Sequence, residues 1–211
     1  MKKTNNRKSN EKPAKQVISN NLASNKHSSL SKTTNISKII AKLKQIYPDA
    51  KCALVHTNPL QLLVATILSA QCTDERVNQV TKELFKRYKT VEDFANANFD
   101  ELVQYIRPTG FFNNKARNII ACCRELVDKY EGNIPKDIEI LTKLPGIGRK
   151  TANVVLGTAF NIGAGIVVDT HVARLAKRLG LTKEKNPEKI ELDLMKIIPK
   201  TDWIIFSHLL T

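Results

Sequence analysis

Apolar residues recur at helical spacing along almost the whole chain beyond residue 35. Ile36, Ile40 and Leu43 show the pattern, because steps of three and four residues place them on one face of a helix. Two Asn-Pro pairs, which begin at Asn58 and Asn186, each combine a helix N-cap with proline at the first helical position. Residues 165–168 are the one strand-like run, and it is too short to form a sheet. The periodicity therefore predicts an all-α fold.

The same signals predict where the individual helices begin and end. After a first amphipathic helix that ends before Pro48, helices are expected over residues 60–69, 91–97, 100–106, 137–143, 151–160 and 188–198. Three more have two candidate starting positions each: Thr73 or Asp74 caps the first, Asn113 or Asn114 begins the second, and Asp169 or Thr170 caps the third. The second of these is expected to run through Tyr130, with Gly132 just past its end. Trp203 opens a last apolar helix that carries no ending signal before the chain stops.

The chain is strongly basic. It has 34 lysine and arginine residues against 20 acidic ones, a formal net charge of +14, which favours a polyanionic partner such as nucleic acid. Residues 1–35 carry about half of this excess, and their Asn-, Ser- and Lys-rich composition predicts a disordered basic tail. Neither a secretory signal nor an apolar run of about 18 residues is found. We therefore expect a cytoplasmic protein without a membrane segment.

The cysteines do not have the spacing of a metal site. They are Cys52, Cys72, Cys122 and Cys123, with no Cys-x-x-Cys pair among them. We expect reduced thiols, mostly buried, and no metal bound by them.

One string carries most of the chemical information: Leu144-Pro-Gly-Ile-Gly-Arg-Lys-Thr-Ala-Asn-Val-Val-Leu156. Gly146 and Gly148 allow a tight turn between two helices and bring backbone N–H groups toward an anion such as phosphate. Lys150 then falls in the first turn of the next helix, where the positive end of the helix dipole favours the neutral, nucleophilic amine. The alternative for Lys150 is a surface lysine that pairs with phosphate.

Three further residues are candidates for function, each with a simpler alternative. Asp169, in Val168-Asp-Thr-His171, is either a helix N-cap or a carboxylate that stabilises positive charge and moves protons, and both can hold. Gln71, in Leu68-Ser-Ala-Gln-Cys-Thr-Asp74, is otherwise an ordinary polar residue at a helix end. Phe111, like Phe112 beside it, is either a core aromatic or a wedge that enters a base stack.

Together these motifs resemble the endonuclease III family of helix-hairpin-helix DNA glycosylases, over roughly residues 36–210. The resemblance implies an all-α protein of two lobes. Residues 36–55 and 166–211 would form one lobe, incomplete at its C-terminal end, and residues 56–165 the other, with the hairpin at about residues 137–160.

The resemblance also implies a function in base-excision DNA repair. The partner would be double-stranded DNA with a damaged base or an abasic site, bound by a monomer, and an oxidised pyrimidine would be flipped out of the duplex. Lys150 would attack the sugar and form a Schiff base, with Asp169 assisting, and β-elimination would cut the strand. DNA contacts would come from Gln71, Phe111, Leu144, Gly146, Ile147, Gly148, Arg149 and Thr151.

In one respect the chain departs from the family. Members continue beyond the Trp203 helix into four cysteines that bind a [4Fe–4S] cluster, whereas this sequence ends before them. No cluster is therefore expected in this chain. Two rival interpretations stay open: a non-catalytic or inactive helix-hairpin-helix DNA-binding protein, and a monofunctional glycosylase of the adenine-mismatch type. The second branch lacks a lysine at the position of Lys150, which argues against it.

Overall fold

The computed structural model describes residues 35–210, so nearly all of the predicted basic tail lies outside the described residues. Within that range the backbone forms helices, two short 3-10 turns and irregular connections, without a strand. The all-α prediction is confirmed. The helices are α1 (residues 35–46), α2 (Pro59–Leu68), α3 (Asp74–Arg87), α4 (Val91–Ala95), α5 (Phe99–Ile106), α6 (Phe112–Tyr130), α7 (Ile138–Leu141), α8 (Arg149–Phe160), α9 (Thr170–Arg178), α10 (Pro187–Ile197) and α11 (Trp203–Leu210).

Side-chain caps define most helix starts. Asn58 and Asn186 cap α2 and α10, each followed by proline, as predicted. Where the sequence left a choice, Thr73 caps α3 and Asp169 caps α9. Each accepts a hydrogen bond from a backbone N–H of the first turn, a group that has no partner within the helix.

Helix α6 begins earlier than predicted and ends differently. Its first residue is Phe112, preceded by Phe111 in a left-handed conformation, instead of Asn113 or Asn114. Beyond Tyr130, Glu131 takes a left-handed conformation as well as Gly132, whose N–H donates to the Leu126 carbonyl at 2.9 Å. Helix α6 therefore ends with two left-handed residues, Glu131 and Gly132, whereas the sequence pattern indicated only Gly132.

Two hydrophobic clusters organise the described residues. The larger contains buried residues between 54 and 156, and the apolar helix α2 lies within it, with residues 62–68 all buried. The smaller joins Ile36 and Ile40 of α1 to buried residues between 166 and 209. A fully buried leucine stabilises a fold by about 1.5–3 kcal/mol, so the buried side chains are a main source of stability in each cluster. No helix in residues 35–210 is long and apolar enough to cross a membrane.

Candidate active site

The turn between α7 and α8 is held by two buried side chains, Leu144 and Ile147, and by a hydrogen bond from Ile147 N–H to the Leu144 carbonyl at 3.2 Å. Gly146 has φ +76°, and a Cβ there would lie 2.7 Å from Asn118 Cβ. Both the left-handed backbone and the packing therefore require glycine at this position. The short helix α7 is capped by Asp137, which positions the hairpin from its other side.

Gly148 differs from Gly146 in that no contact within residues 35–210 requires a glycine there. Its φ is −86°, and a Cβ would meet no atom of the described residues within 4 Å. Gly148 is the N-cap of α8, and in the described part of the chain no side chain accepts from the first N–H groups of this helix. These N–H groups and the positive end of the helix dipole form a surface that suits an anion.

Lys150 is an exposed residue in the first turn of α8, and its side chain lines a cavity of about 150 Å³. The cavity lies where the two hydrophobic clusters meet. Leu54 of the larger cluster, Val154 packed against it and Thr66 of α2 line one side. Ser207 and His208 line the other from α11, whose neighbouring Phe206 and Leu209 belong to the smaller cluster.

Asp169 lines the same cavity. Its Oδ1 accepts a hydrogen bond from Val172 N–H at 2.7 Å, which fixes the carboxylate at the start of α9. Within residues 35–210 this is the one hydrogen bond that the carboxylate accepts. The N-cap role is therefore observed, and the structure brings the predicted amine and the predicted carboxylate to one cavity.

Several cavity residues carry no signal in the sequence that would single them out. Cys52 and His208 are examples, and both are partly buried. Burial raises the pKa of the Cys52 thiol and lowers the pKa of the His208 imidazole, so the neutral form of each is favoured. They reach the cavity through tertiary packing, so no local pattern marks them.

Gln71 and Phe111 do not line the cavity, but both have an unusual backbone conformation. Both are exposed and left-handed, with φ of 53° for Gln71 and 48° for Phe111. This conformation costs a non-glycine residue about 1–2 kcal/mol, so the surrounding structure has to impose it. Gln71 is close in sequence to Ser69 and Asp74, which both line the cavity. It therefore lies near the cavity edge.

The remaining predicted DNA contacts fall into two groups. Leu144 and Ile147 are 3 % and 4 % exposed, so only their main chain is available to a ligand. Thr151 is half-buried at the start of α8, and Arg149 is paired inside the protein. The Arg149 side chain therefore has a structural partner that the sequence pattern did not indicate.

That partner is Glu191, a buried carboxylate on α10. Arg149 Nε donates to Glu191 Oε2 at 2.7 Å, and Asn153 Nδ2 donates to Oε1 at 2.9 Å. A Cβ at Gly165 would overlap Oε1, so the adjoining loop can pass the carboxylate only as glycine. The network joins α8 of the larger cluster to α10 of the smaller one.

The described residues do not supply a ligand set for the family's iron–sulfur cluster. Within residues 35–210 no group of three or more His, Cys, Asp or Glu side chains is arranged to hold a metal. Cys122 and Cys123 are buried within α6, where burial raises their pKa values, to about 12 for Cys122 and further for Cys123. The expectation that this chain carries no cluster stays a prediction.

Comparison with known proteins places this site in a family. Residues 64–200 match the HhH-GPD superfamily of base excision DNA repair proteins. Endonuclease III of Synechocystis sp. is 54% identical over 177 residues, which cover 84% of this chain and 81% of that protein. In a non-covalent endonuclease III–DNA complex, the protein has a TM-score of 0.80 and 50% identity, covering 84% of this chain and 83% of its own. A trapped endonuclease III–DNA covalent intermediate has a TM-score of 0.80 and 49% identity, covering 84% of each chain. The chain therefore belongs to the endonuclease III family, within the HhH-GPD superfamily of base excision DNA repair proteins.

Proposed function

We propose that Lys150 is the nucleophile and Asp169 its acid–base partner in a bifunctional reaction that removes an oxidised pyrimidine from DNA and cuts the strand. The observation that carries this proposal is the meeting of the two side chains in one cavity. An amine and a fixed carboxylate beside a cavity are the groups needed for covalent catalysis at a sugar carbon.

In the first half of the reaction, the neutral amine of Lys150 attacks C1′ of the damaged nucleotide. The bond from C1′ to the base breaks, and the base departs with the electron pair and takes up a proton. Positive charge develops on the sugar as that bond lengthens, and the Asp169 carboxylate stabilises it. Because its Oδ1 is held by Val172 N–H, the carboxylate needs little reorganisation.

In the second half, the sugar ring opens and the linkage between Nζ and C1′ becomes a protonated Schiff base. This cation makes the C2′ hydrogens acidic, and loss of one of them as a proton expels the 3′ phosphate by β-elimination. Hydrolysis of the Schiff base then regenerates the Lys150 amine. Asp169 is placed to move protons in these steps because it lines the same cavity.

The hairpin supplies the grip on DNA. The N–H groups at the start of α8 meet a backbone phosphate, and the absence of a side chain at Gly148 lets the phosphate come close. A phosphate contact of this kind positions the strand without reading its sequence. Lys150, two residues later, is thereby brought to a sugar near that phosphate.

The cavity dimensions suit a flipped pyrimidine. An apolar cavity of about 150 Å³ in another protein admits a benzene-sized ring, and this cavity has about the same volume.

Gln71, near the cavity edge, would fill the gap that the flipped nucleotide leaves, with Phe111 as a second wedge. As part of base-excision repair, like its bacterial relatives, the protein would act on chromosomal DNA in the cytoplasm of a bacterium.

Borohydride reduction tests the central step, because it converts the Schiff base into a stable cross-link. We expect a covalent adduct between the protein and a duplex with one abasic site, and none with Lys150→Ala. Lys86→Ala is the matched control, because Lys86 is exposed on α3 and pairs with Glu83 away from the cavity. An undiminished adduct with Lys150→Ala would assign the nucleophile elsewhere. Folded protein without any adduct would favour a non-catalytic DNA-binding function.

A further inference from the structure

Lys115, on the second turn of α6, is a buried charged residue that the proposed chemistry does not use. It is 4 % exposed, and its Nζ donates to the carbonyls of Leu68 and Thr109, each at 2.8 Å. Neither partner is a carboxylate, and none of the ion pairs within residues 35–210 includes Lys115. Burial lowers the pKa of this ammonium. Burying a cation whose partners are all carbonyls costs free energy of folding. We therefore expect Lys115 to have a role that an apolar side chain of similar size would not serve.

Both carbonyls lie at the end of a helical segment. Leu68 is the last residue of α2, and Cys72 N–H, which a continuing helix would direct to it, donates instead to Ser69 O at 3.1 Å. Thr109 ends the 3-10 turn Arg107–Thr109. Carbonyls at helix ends lack intrahelical partners and carry partial negative charge. The Lys115 ammonium satisfies two such groups at once and so joins two separate chain segments.

Each joined segment leads directly to one of the two proposed wedge residues, Gln71 and Phe111, which are both left-handed and exposed. Leu68 lies three residues before Gln71, and Thr109 lies two residues before Phe111. Short segments that hold strained residues depend on outside contacts to keep their conformation. The two hydrogen bonds of Lys115 are contacts of this kind, and they act on both segments from one side chain.

We propose that Lys115 is a positioning residue that holds Gln71 and Phe111 at a fixed separation, so that both enter the DNA base stack together. The inference rests on the proposed function, because the two wedges matter only when a nucleotide is flipped out of a duplex. Lys115 itself touches neither the reacting sugar nor the cavity. It acts through the backbone of the two segments.

Two substrates distinguish this role from general stabilisation of the core. A duplex with an oxidised pyrimidine requires the wedges, whereas a single strand with an abasic site has no base stack to enter. Lys115→Met keeps most of the side-chain volume and removes the donors. We expect base release from the duplex under single-turnover conditions to fall on the order of 10- to 100-fold, as for other small misplacements. Borohydride trapping on the single strand should stay within about twofold.

A double variant tests whether the effect passes through Gln71. If Lys115 acts by positioning that residue, Lys115→Met should add little to the loss already caused by Gln71→Ala. The fluorescence of 2-aminopurine opposite the lesion reports unstacking directly, and its increase on binding should be smaller for Lys115→Met than for the wild type. Ile119→Val is the matched control, since Ile119 is buried on the same helix and contacts neither carbonyl through a hydrogen bond.

Equal losses on both substrates, or full activity on the duplex, would overturn the inference and leave the proposed function intact. A wild-type protein that neither releases the base nor forms an adduct would overturn both. If Lys115→Met does not fold, the comparison is made with Lys115→Gln, whose side chain is one atom shorter, so its amide is expected to lose at least one of the two hydrogen bonds. A loss confined to the duplex supports the inference for that variant too, and full activity on the duplex or an equal loss on both substrates overturns it.

Discussion

Arg149 and Glu191 form an ion pair between the two hydrophobic clusters, with Arg149 Nε donating to Glu191 Oε2 at 2.7 Å. The side chain of Glu191 is 4% exposed and that of Arg149 31%. Since Arg149 directly precedes Lys150, this pair fixes the start of the helix that carries the proposed nucleophile. Its loss should therefore affect both stability and catalysis.

We predict that Glu191→Ala lowers the free energy of unfolding by about 3 kcal/mol, because it leaves the Asn153 amide and the Arg149 guanidinium without their buried partner. Urea denaturation measures the change. Glu188→Ala, at an exposed position of the same helix, should stay within about 0.5 kcal/mol of the wild type. Equal stability of the two variants would show that the network contributes little.

The two hairpin glycines should respond differently to substitution. Gly146→Ala places a side chain in a left-handed position against Asn118, so we predict a loss of about 1–3 kcal/mol in unfolding free energy. Gly148→Ser meets no atom within 4 Å among residues 35–210 and supplies a favoured N-cap residue, so its stability should be unchanged or slightly higher. Its affinity for an abasic duplex should nevertheless fall, because the side chain obstructs the phosphate. Unimpaired DNA binding by Gly148→Ser would argue against that contact.

Asp169 has two roles that substitution can separate. Asn is as good an N-cap as Asp, so Asp169→Asn should retain stability while its rate of Schiff-base formation falls on the order of 10²- to 10⁴-fold. Asp169→Ala should show the same catalytic loss and also lose about 1 kcal/mol in thermal unfolding, because the bond to Val172 N–H is gone. If Asp169→Asn kept its activity, the only role left for Asp169 would be that of helix N-cap.

His208 should make stability depend on pH in the weakly acidic range. Burial lowers the pKa of His208 in the folded protein below its ordinary value of 6.5, so the unfolded chain binds the proton first as pH falls. Stability is therefore expected to decline from about pH 7 downward, until the folded form is protonated as well. Melting temperatures between about pH 7 and 5 should decline less steeply for His208→Gln. His171→Gln, at an exposed position, provides the comparison. A parallel decline in all three proteins would assign the acid sensitivity to other groups.

Much of the fold follows from local sequence signals, and the exceptions have a physical reason. Asn58 and Asn186 predicted two helix starts correctly because a cap and a following proline act within a few residues. The start of α6 was predicted late, because Phe111 takes its left-handed conformation without a capping side chain. Such a conformation is imposed by tertiary contacts, and a local pattern does not reveal it.

The site divides in the same way. Lys150 and Asp169 were selected from motifs, and the structure brings both to one cavity, although their catalytic roles stay predictions. Glu191 and His208 were not selected, since they reach the site from distant parts of the chain. Arg149 was selected from the motif as a DNA contact, which stays a prediction, and the structure adds a partner that the motif does not show, a carboxylate 42 residues away.

The smaller hydrophobic cluster joins Ile36 and Ile40 to residues between 166 and 209, whereas the larger cluster is built from residues 54 to 156. During synthesis on the ribosome, the larger cluster can therefore pack before residues 166–209, which the smaller cluster requires, have been made. Helix α1 has to remain without its core partners until then, with its apolar face open to water or to a chaperone. Because Ser207 and His208 line the cavity that holds Lys150 and Asp169, this cavity can form only after α11 has been synthesised.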